Sequence, residues 1–211
     1  MKVVVCGATG RTGRLLVEGA LARGHGVTAF VRARERLGDL AARVRAVEGD
    51  VLDGGVVSDA VDGQDAVLVA LGVAMKRDDP AVNAQGTLNV IRSMQRYAVR
   101  RLVVLSAGGT QQGHDPNLPL VFERVIKPLF LRHAFADLRR METSVRQSEL
   151  DWTIVRAAGG LTDGPARGGY RVEPGYSIPG GRRIARADVA EHMLDQLERR
   201  DDVGHAVAIA Y

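Results

Sequence analysis

Residues 6–13 read CGATGRTG, with Gly7, Gly10 and Gly13 spaced three apart. The apolar run Val3–Val5 leads in, and LLVEGALARG follows Arg14. Each glycine costs backbone entropy on folding, so this density needs a chemical reason. A strand that turns tightly into a helix supplies one. The first glycine permits the turn. The second leaves room for a diphosphate against bare main chain, and the third lets helix and strand pack closely. A helix starting near Arg11 then aims its unpaired N–H groups and positive dipole end at the same phosphates. The spacing is GxxGxxG, not the GxGxxG of many dehydrogenases. Its place between first strand and first helix is what separates a dinucleotide loop from an ordinary glycine-bearing turn.

The next chemical signal lies in VTAFVRARER, residues 27–36. A site for the unphosphorylated dinucleotide places an acidic side chain here to accept from the ribose 2′-OH. This chain has Arg32, whose guanidinium matches a 2′-phosphate with two parallel hydrogen bonds. Arg11 can assist, while Arg34 and Arg36 read as a solvated helix start. The expected cofactor is therefore NADP(H), with NAD(H) kept open by Glu35. Asp50, in Gly49-Asp50-Val51, can accept from an adenine amino group while Val51 packs on the ring. A turn-forming role is its alternative. Leu71-Gly72 follows the fourth apolar run, and Gly72 would let backbone pass beneath the cofactor.

Ser106 closes the fifth run, where the reactive ring should lie beyond the carboxyl ends of parallel strands. Its hydroxyl could orient or protonate a substrate, or cap local backbone. His114, in the following loop, is a second candidate acid. Arg156 could orient an anionic ring substituent or form a salt bridge. No His/Cys cluster has metal-ligand spacing, so no metal is expected.

The elements that must hold these groups alternate. Lys2–Cys6, Val27–Val31, Val44–Val47, Ala66–Leu71, Arg101–Leu105 and Trp152–Val155 are near-continuous apolar runs, as in strands covered on both faces. Between them lie helical patterns. Thr87, Ile91, Met94 and Ala98 recur at helical spacing after Pro80. Residues 118–146 are mostly helical, with Pro128 a kink or break. Val189, Met193, Leu194 and Leu197 form a late stripe behind Asp188, which suits a helix N-terminus. The pattern predicts an α/β fold: a doubly wound parallel sheet in three αβα layers, one domain over residues 1–211. Residues 159–181 hold eight glycines and three prolines, and a substrate flap is expected at about 157–183.

Composition bounds the function. The 211 residues are 45% hydrophobic and 26% charged, ordinary for a globular protein. The net charge of +4 comes from 29 basic and 25 acidic residues that are interspersed, which argues against a nucleic-acid face. No stretch reaches the ~20 apolar residues of a membrane span. Cys6 is the one cysteine, so no intrachain disulfide forms, and it reads as a core residue. A cytoplasmic protein, monomer or homodimer, is expected. Lysine occurs only at positions 2, 76 and 127 while arginine abounds, a bias that suggests a GC-rich bacterium.

The chain resembles the atypical branch of the short-chain dehydrogenase/reductase superfamily, which includes biliverdin-IXβ reductase/flavin reductases and NmrA-like proteins. GATGRTG, GDVLD, DAVLVALG, NAQGTLNVIRSM, VRRLVVLSAGGT, DWTIVRA, LTDGPARGGYRV and RADVAEHML carry the resemblance. It implies a Rossmann fold and a dinucleotide site at Gly7, Thr9, Gly10, Arg11, Thr12, Arg32, Asp50, Val51, Leu71 and Gly72. Lys127 and Asp137 also match positions common in that branch, though on a helix they can simply pair or cap.

Two departures shape the expected reaction. Ordinary members of the superfamily use a Tyr-x-x-x-Lys pair. Here Tyr97 is followed four residues on by Arg101, Tyr170 by Pro174 and Tyr176 by Gly180. Reducing an isolated ketone creates a basic alkoxide that needs a strong positioned acid. A quinone, flavin or linear tetrapyrrole gives a delocalised, weakly basic anion, so alignment carries more of the catalysis. A reductase of small planar conjugated acceptors is expected. The resemblance also implies a histidine after the sixth strand, where this chain has Ala157-Ala158-Gly159-Gly160. That widens the pocket at Gly159 and Gly160. It argues against bile pigment and favours another ring system, such as an aromatic polyketide quinone of bacterial secondary metabolism. The alternative is an NmrA-like sensor that binds the dinucleotide without turnover. An epimerase or dehydratase is disfavoured by the missing tyrosine.

Overall fold

The computed structural model describes residues 1–72, 81–111 and 113–211. The chain begins β1 (Lys2–Cys6), α1 (Arg11–Ala22), β2 (Gly26–Val31), 3-10 turns over Arg34–Ala42 and β3 (Arg45–Glu48). It continues through α2 (Gly54–Val61), β4 (Ala66–Val69), α3 (Val82–Arg96) and β5 (Arg101–Ala107). A π-helical turn (Phe122–Ile126), α4 (Lys127–Phe130), α5 (Arg132–Arg146) and β6 (Asp151–Ala157) follow. The last elements are β7 (Gly160–Thr162), β8 (Arg171–Pro174), β9 (Arg183–Ala185), α6 (Arg186–Glu198) and β10 (His205–Ala210).

Eight strands form one sheet in the order β3-β2-β1-β4-β5-β6-β10-β8, with β7 and β9 as a separate parallel pair. All neighbours in the large sheet run parallel except β8, which lies antiparallel to β10. The chain winds outward from β1 to β3, then returns to β4 on the other side of β1. Strand order reverses there, and the loops leaving β1 and β4 part to open a crevice at the carboxyl ends.

The near-continuous apolar runs have a direct cause. Val3 and Val5 pack with Leu16 and Val17 of α1 and with Met193 and Leu194 of α6 on one face. Val4 and Cys6 pack with Val90 and Met94 of α3 and with Met141 and Val145 of α5 on the other. Successive side chains of a strand point to opposite faces, so two covered faces demand apolar residues at every position. Burial pushes the Cys6 thiol up to about 12, so it stays protonated in the core.

Several boundaries differ from those expected. β3 is shifted one residue later, β4 ends at Val69, and β5 and β6 run on to Ala107 and Ala157. Pro80 lies outside the described residues. Pro128 does not end the helical run: it follows directly on the π-helical turn, whose backbone continues into α4, and the break falls at Leu131. β7 to β10 lie outside the expected strands: β7, β8 and β9 are three or four residues within the glycine-rich stretch and its end, and HAVAIA, though a continuous apolar run, follows charged turns. No helix among the described residues is long and apolar enough to cross a membrane.

The glycine-rich stretch after β6 is tied down. β8 pairs along β10, and Ile178 is buried in the core. Asp188, in the first turn of α6, accepts from the backbone N–H of Arg167 (3.0 Å) and Gly168 (2.8 Å) and from the Tyr211 hydroxyl. Burial alone would raise its pKa; these hydrogen bonds outweigh that and hold the carboxyl below the usual range. Asp188→Ala leaves those donors without an acceptor, and about 1–3 kcal/mol of destabilisation is expected. Urea unfolding checks the magnitude. Limited proteolysis should shift cleavage into residues 163–170, and an unchanged pattern would show that β8 alone holds the segment.

Candidate functional site

The turn after β1 is built around the carbonyl of Gly7. Gly7 has φ +85, a left-handed backbone that side chains disfavour, and a Cβ on it would stand 2.4 Å from the carbonyl oxygen of Ala70. A Cβ on Gly13 would stand 2.0 Å from the Gly7 oxygen. That oxygen also accepts from the Gly10 N–H at 2.9 Å. Gly10 differs: its Cβ would meet only the Gly7 oxygen, at 3.2 Å, with open space beyond. Gly10 caps α1 without any side-chain hydrogen bond, and no acid lies in the first turn. The first N–H groups of the helix are thus left to whatever lies in front of them.

In front lies a cleft of about 920 Å³ at the carboxyl ends of the strands. Gly7, Thr9, Gly10, Arg11, Thr12, Arg32, Asp50, Val51, Leu71, Gly72, Ser106 and Gly159 line it. Gly13 does not, because it is spent on packing beneath Gly7. Gly160 does not either: it pairs in β7, where a Cβ would stand 2.5 Å from the Arg182 carbonyl oxygen.

The loops at its floor are pinned from below. The Asn89 side-chain amide donates to the carbonyls of Val51 and Leu52, both at 3.0 Å. The Asn83 amide reaches the Gly72 carbonyl at 3.4 Å. Both residues ride on α3, whose N-cap, Ala81, has no side-chain acceptor. Asp137 of α5 caps it instead, accepting from the backbone N–H groups of Asn83 and Ala84 at 3.0 Å. Asp137 is therefore a capping residue, one of the two readings the sequence allowed. Lys127 has its ammonium 5.4 Å from the centre of the Phe135 ring.

The cleft has a charged end and an apolar end. Arg11, Arg32, Arg36 and Arg186 line it, and among the described residues Asp50 is the one acid that does. Arg36 lines the cleft while staying exposed at the start of the 3-10 turns, as a solvated helix start would. Arg186 was not anticipated; it binds Asp163 at 2.7 Å, and Asp163 also meets Arg11 at 3.3 Å, across the glycine turn. Glu48 faces away, accepting from the Arg34 backbone N–H at 2.9 Å. One Asp50 oxygen accepts from the Leu52 N–H at 3.0 Å, so its turn role is real. The segment between β5 and β6 adds Phe122, Leu131, Phe135 and Leu138, and Leu161 lies beside Arg186, which donates to its carbonyl at 3.3 Å. Bare backbone and free N–H groups, guanidinium groups on one side and apolar surface on the other fit a dinucleotide with its ring end toward Ser106.

Two expected site residues are elsewhere. Arg156 is the strand-register partner of Ser106 but is buried and does not line the cleft. It grips Glu142 through Nε (3.0 Å) and a terminal nitrogen (2.6 Å), and donates to the Gly175 carbonyl at 2.6 Å. Its alternative reading, a salt bridge, is the observed one. His114 is exposed and pairs with Glu123, away from the cleft lining. Besides Arg186, sequence reasoning missed Glu142. It accepts from the Ser106 hydroxyl at 2.7 Å and from Arg146 at 2.9 Å. A signal existed: Glu142 falls on the same helical face as Leu138, Met141 and Val145, where a charge must have a buried partner.

Burial pushes the Glu142 carboxyl up, but the hydrogen bonds and charge of Arg156, then Ser106 and Arg146, outweigh this and hold it below its ordinary 4.5. A depressed folded-state pKa stabilises fully above the unfolded value and is lost as pH falls through the folded one. Thermal unfolding of the wild type should weaken below about pH 4.5. Glu142→Gln should be less stable at neutral pH and show a shallower acid limb; parallel curves would mean Glu142 contributes nothing to it. Gly13→Ala should fail to fold. Gly10→Ala should keep the wild-type circular dichroism yet lose about tenfold or more in dinucleotide affinity, by titration calorimetry.

Comparison with known proteins bears on this site. Residues 7–200 match the model of the NAD(P)H-binding family. An uncharacterised chloroplastic protein of Arabidopsis thaliana is 32% identical over 99% of this chain and 76% of its own length. The oxidoreductase stcQ of Emericella nidulans is 29% identical over 78% of this chain and 66% of its own. The photosystem II assembly factor Ycf39 of Synechocystis is 28% identical over 75% of this chain, which spans 45% of that relative. Among solved structures, the anaerobillin reductase ChuY of Escherichia coli O157:H7 superposes with TM-score 0.83 at 25% identity, covering 100% of this chain and 97% of that one. A Veillonella parvula short-chain dehydrogenase/reductase in complex with NADP superposes with TM-score 0.83 at 20% identity, covering 100% and 94%, a likeness of fold. The chain belongs to the NAD(P)H-binding family and is an NAD(P)-binding oxidoreductase.

Proposed function

We propose that this protein is an NADPH-dependent reductase of planar conjugated acceptors such as quinones, flavins or aromatic polyketide-like rings. The observation that carries this reading is the lining of the cleft's far end. Phe122, Leu131, Phe135, Leu138 and Leu161 offer apolar surface, and among the described residues no tyrosine or lysine lines the cleft. A flat ring gains from apolar stacking surface, whereas an isolated ketone lacks the acid it needs. When bound, the cofactor supplies a hydride. The protein supplies position: the glycine turn and the α1 N-terminus hold the diphosphate, and Val51 and Asp50 hold the adenine. The floor near Gly72 and Ser106 sets the height of the reactive ring. Similarity to a protein described as an anaerobillin reductase supports a reductase.

Arg32 and Arg36 on one side of the cleft, with Arg11 nearby, favour the 2′-phosphorylated cofactor. Glu35 is exposed and does not line the cleft. Arg32→Ala should weaken NADPH binding by about ten- to a hundredfold, the loss of one charge-assisted contact. NADH should change by less than about threefold. Equal losses in a fluorescence titration would remove the preference. For the reaction itself, purified protein is mixed with NADPH and a panel of naphthoquinones and flavins while nicotinamide absorbance is followed. A fall in absorbance supports the reductase. Binding without any fall would mean a dinucleotide sensor in its place.

A further inference from the structure

The Ser106 hydroxyl has an unequal set of partners. Among the described residues its two polar neighbours are Glu142 Oε1 at 2.7 Å and Thr110 Oγ1 at 3.4 Å. Glu142 is an ionised carboxylate, gripped at both oxygens by Arg156 and held at one by Arg146. It has no proton to give. Thr110 has spent its own proton on the Ala107 carbonyl at 2.6 Å. Both neighbours therefore accept. A serine hydroxyl has one proton and room to accept two hydrogen bonds. At Ser106 the proton is committed inward and the accepting side is left toward the cleft that Ser106 lines.

We propose that Glu142 is a positioning residue that locks Ser106 as a hydrogen-bond acceptor, so that the cleft selects a ligand presenting an N–H or O–H donor at this point. The inference rests on the dinucleotide reading of the cleft. Two sources share that chemistry: the carboxamide N–H of the nicotinamide, and a ring hydroxyl on the substrate. Ser106 is then not the acid. To protonate a reduced acceptor it would have to leave an alkoxide beside an ionised carboxylate. Glu142 could resupply that proton only by giving up its paired contacts to Arg156. Water remains the proton source, which suits an acceptor whose anion is delocalised and weakly basic.

The test is a double-mutant cycle on the full chain with Ser106→Ala, Glu142→Gln and the pair. A glutamine amide at position 142 can donate to Ser106 and turn its hydroxyl around. Affinities are measured for NADPH and for its 3-acetylpyridine analogue, which has a methyl ketone where the carboxamide was. KM values are measured for a hydroxynaphthoquinone and for its unhydroxylated parent. Each single variant should weaken the donor-bearing ligand by about tenfold, the loss expected when a buried donor has no acceptor. The Glu142→Gln effect should vanish in the Ser106→Ala background. If the carboxamide is the donor, NADPH weakens and the analogue does not. If the substrate is the donor, both dinucleotides bind as before and KM rises for the hydroxylated quinone alone.

Persistence of the Glu142→Gln effect without Ser106 would make Glu142 merely structural and overturn the proposal. So would a fall in kcat for every acceptor with Kd and KM unaltered, which would mark Ser106 as a proton donor. Should Glu142→Gln not fold, Glu142→Asp serves the same arm, because it retracts the carboxylate by one methylene while keeping charge for Arg156. Failure of the underlying reading is distinct: wild-type protein would then bind neither dinucleotide.

Discussion

The carbonyl of Gly7 is the point on which the architecture turns. β1 lies in the middle of the sheet, paired on one side with β2 and on the other with β4. The chain leaving it must rise over the end of β4 without spreading the strands. Gly7 does so by lying against the Ala70 carbonyl, and Gly13 brings α1 down onto Gly7 itself. Neither contact leaves room for a methyl group. This closeness fixes where α1 begins, and so where its unpaired N–H groups point. A wider turn would still connect strand to helix, but the helix end would no longer face the gap between β1 and β4.

Around that pivot the cleft is held by polar groups that never enter it. Asn83 and Asn89 hold the loops after β4 and β3, and Asp137 holds the start of the helix that carries both asparagines. Glu142, on the same helix as Asp137, holds Ser106. α5 thus supports the cleft at two places, through the start of α3 and through Ser106. Such buried groups are costly unless fully partnered. Here Asn89, Asp137 and Glu142 have partners at each polar side-chain atom, and the return is rigidity around the cleft. The cleft itself combines guanidinium groups with apolar side chains.

Much of this was legible locally. GxxGxxG between an apolar run and a helical pattern describes a turn within eight residues, where steric exclusion by backbone leaves little choice. The doubly covered strands announced themselves because two apolar faces remove the period-2 signal. Arg32 was legible as a cleft residue because the end of β2 opens onto the crevice in such a fold. Less visible were the edge strand β8, with no internal periodicity, the apolar run of β10 behind its charged turns, and the break at Leu131, which no proline marks.

The sequence by itself determined the alternation of strand and helix, the glycine turn and the sign of charge beside it, since these depend on neighbours a few residues apart. Only the tertiary structure decided which polar groups meet. Ser106 and Glu142 are 36 residues apart, Arg186 and Asp163 are 23 apart, and Arg156 was drawn 14 residues back to Glu142 and not into the cleft. The physical reason is that a charge buried in the core takes the partner that folding brings within about 3 Å, and chain separation says nothing about that distance.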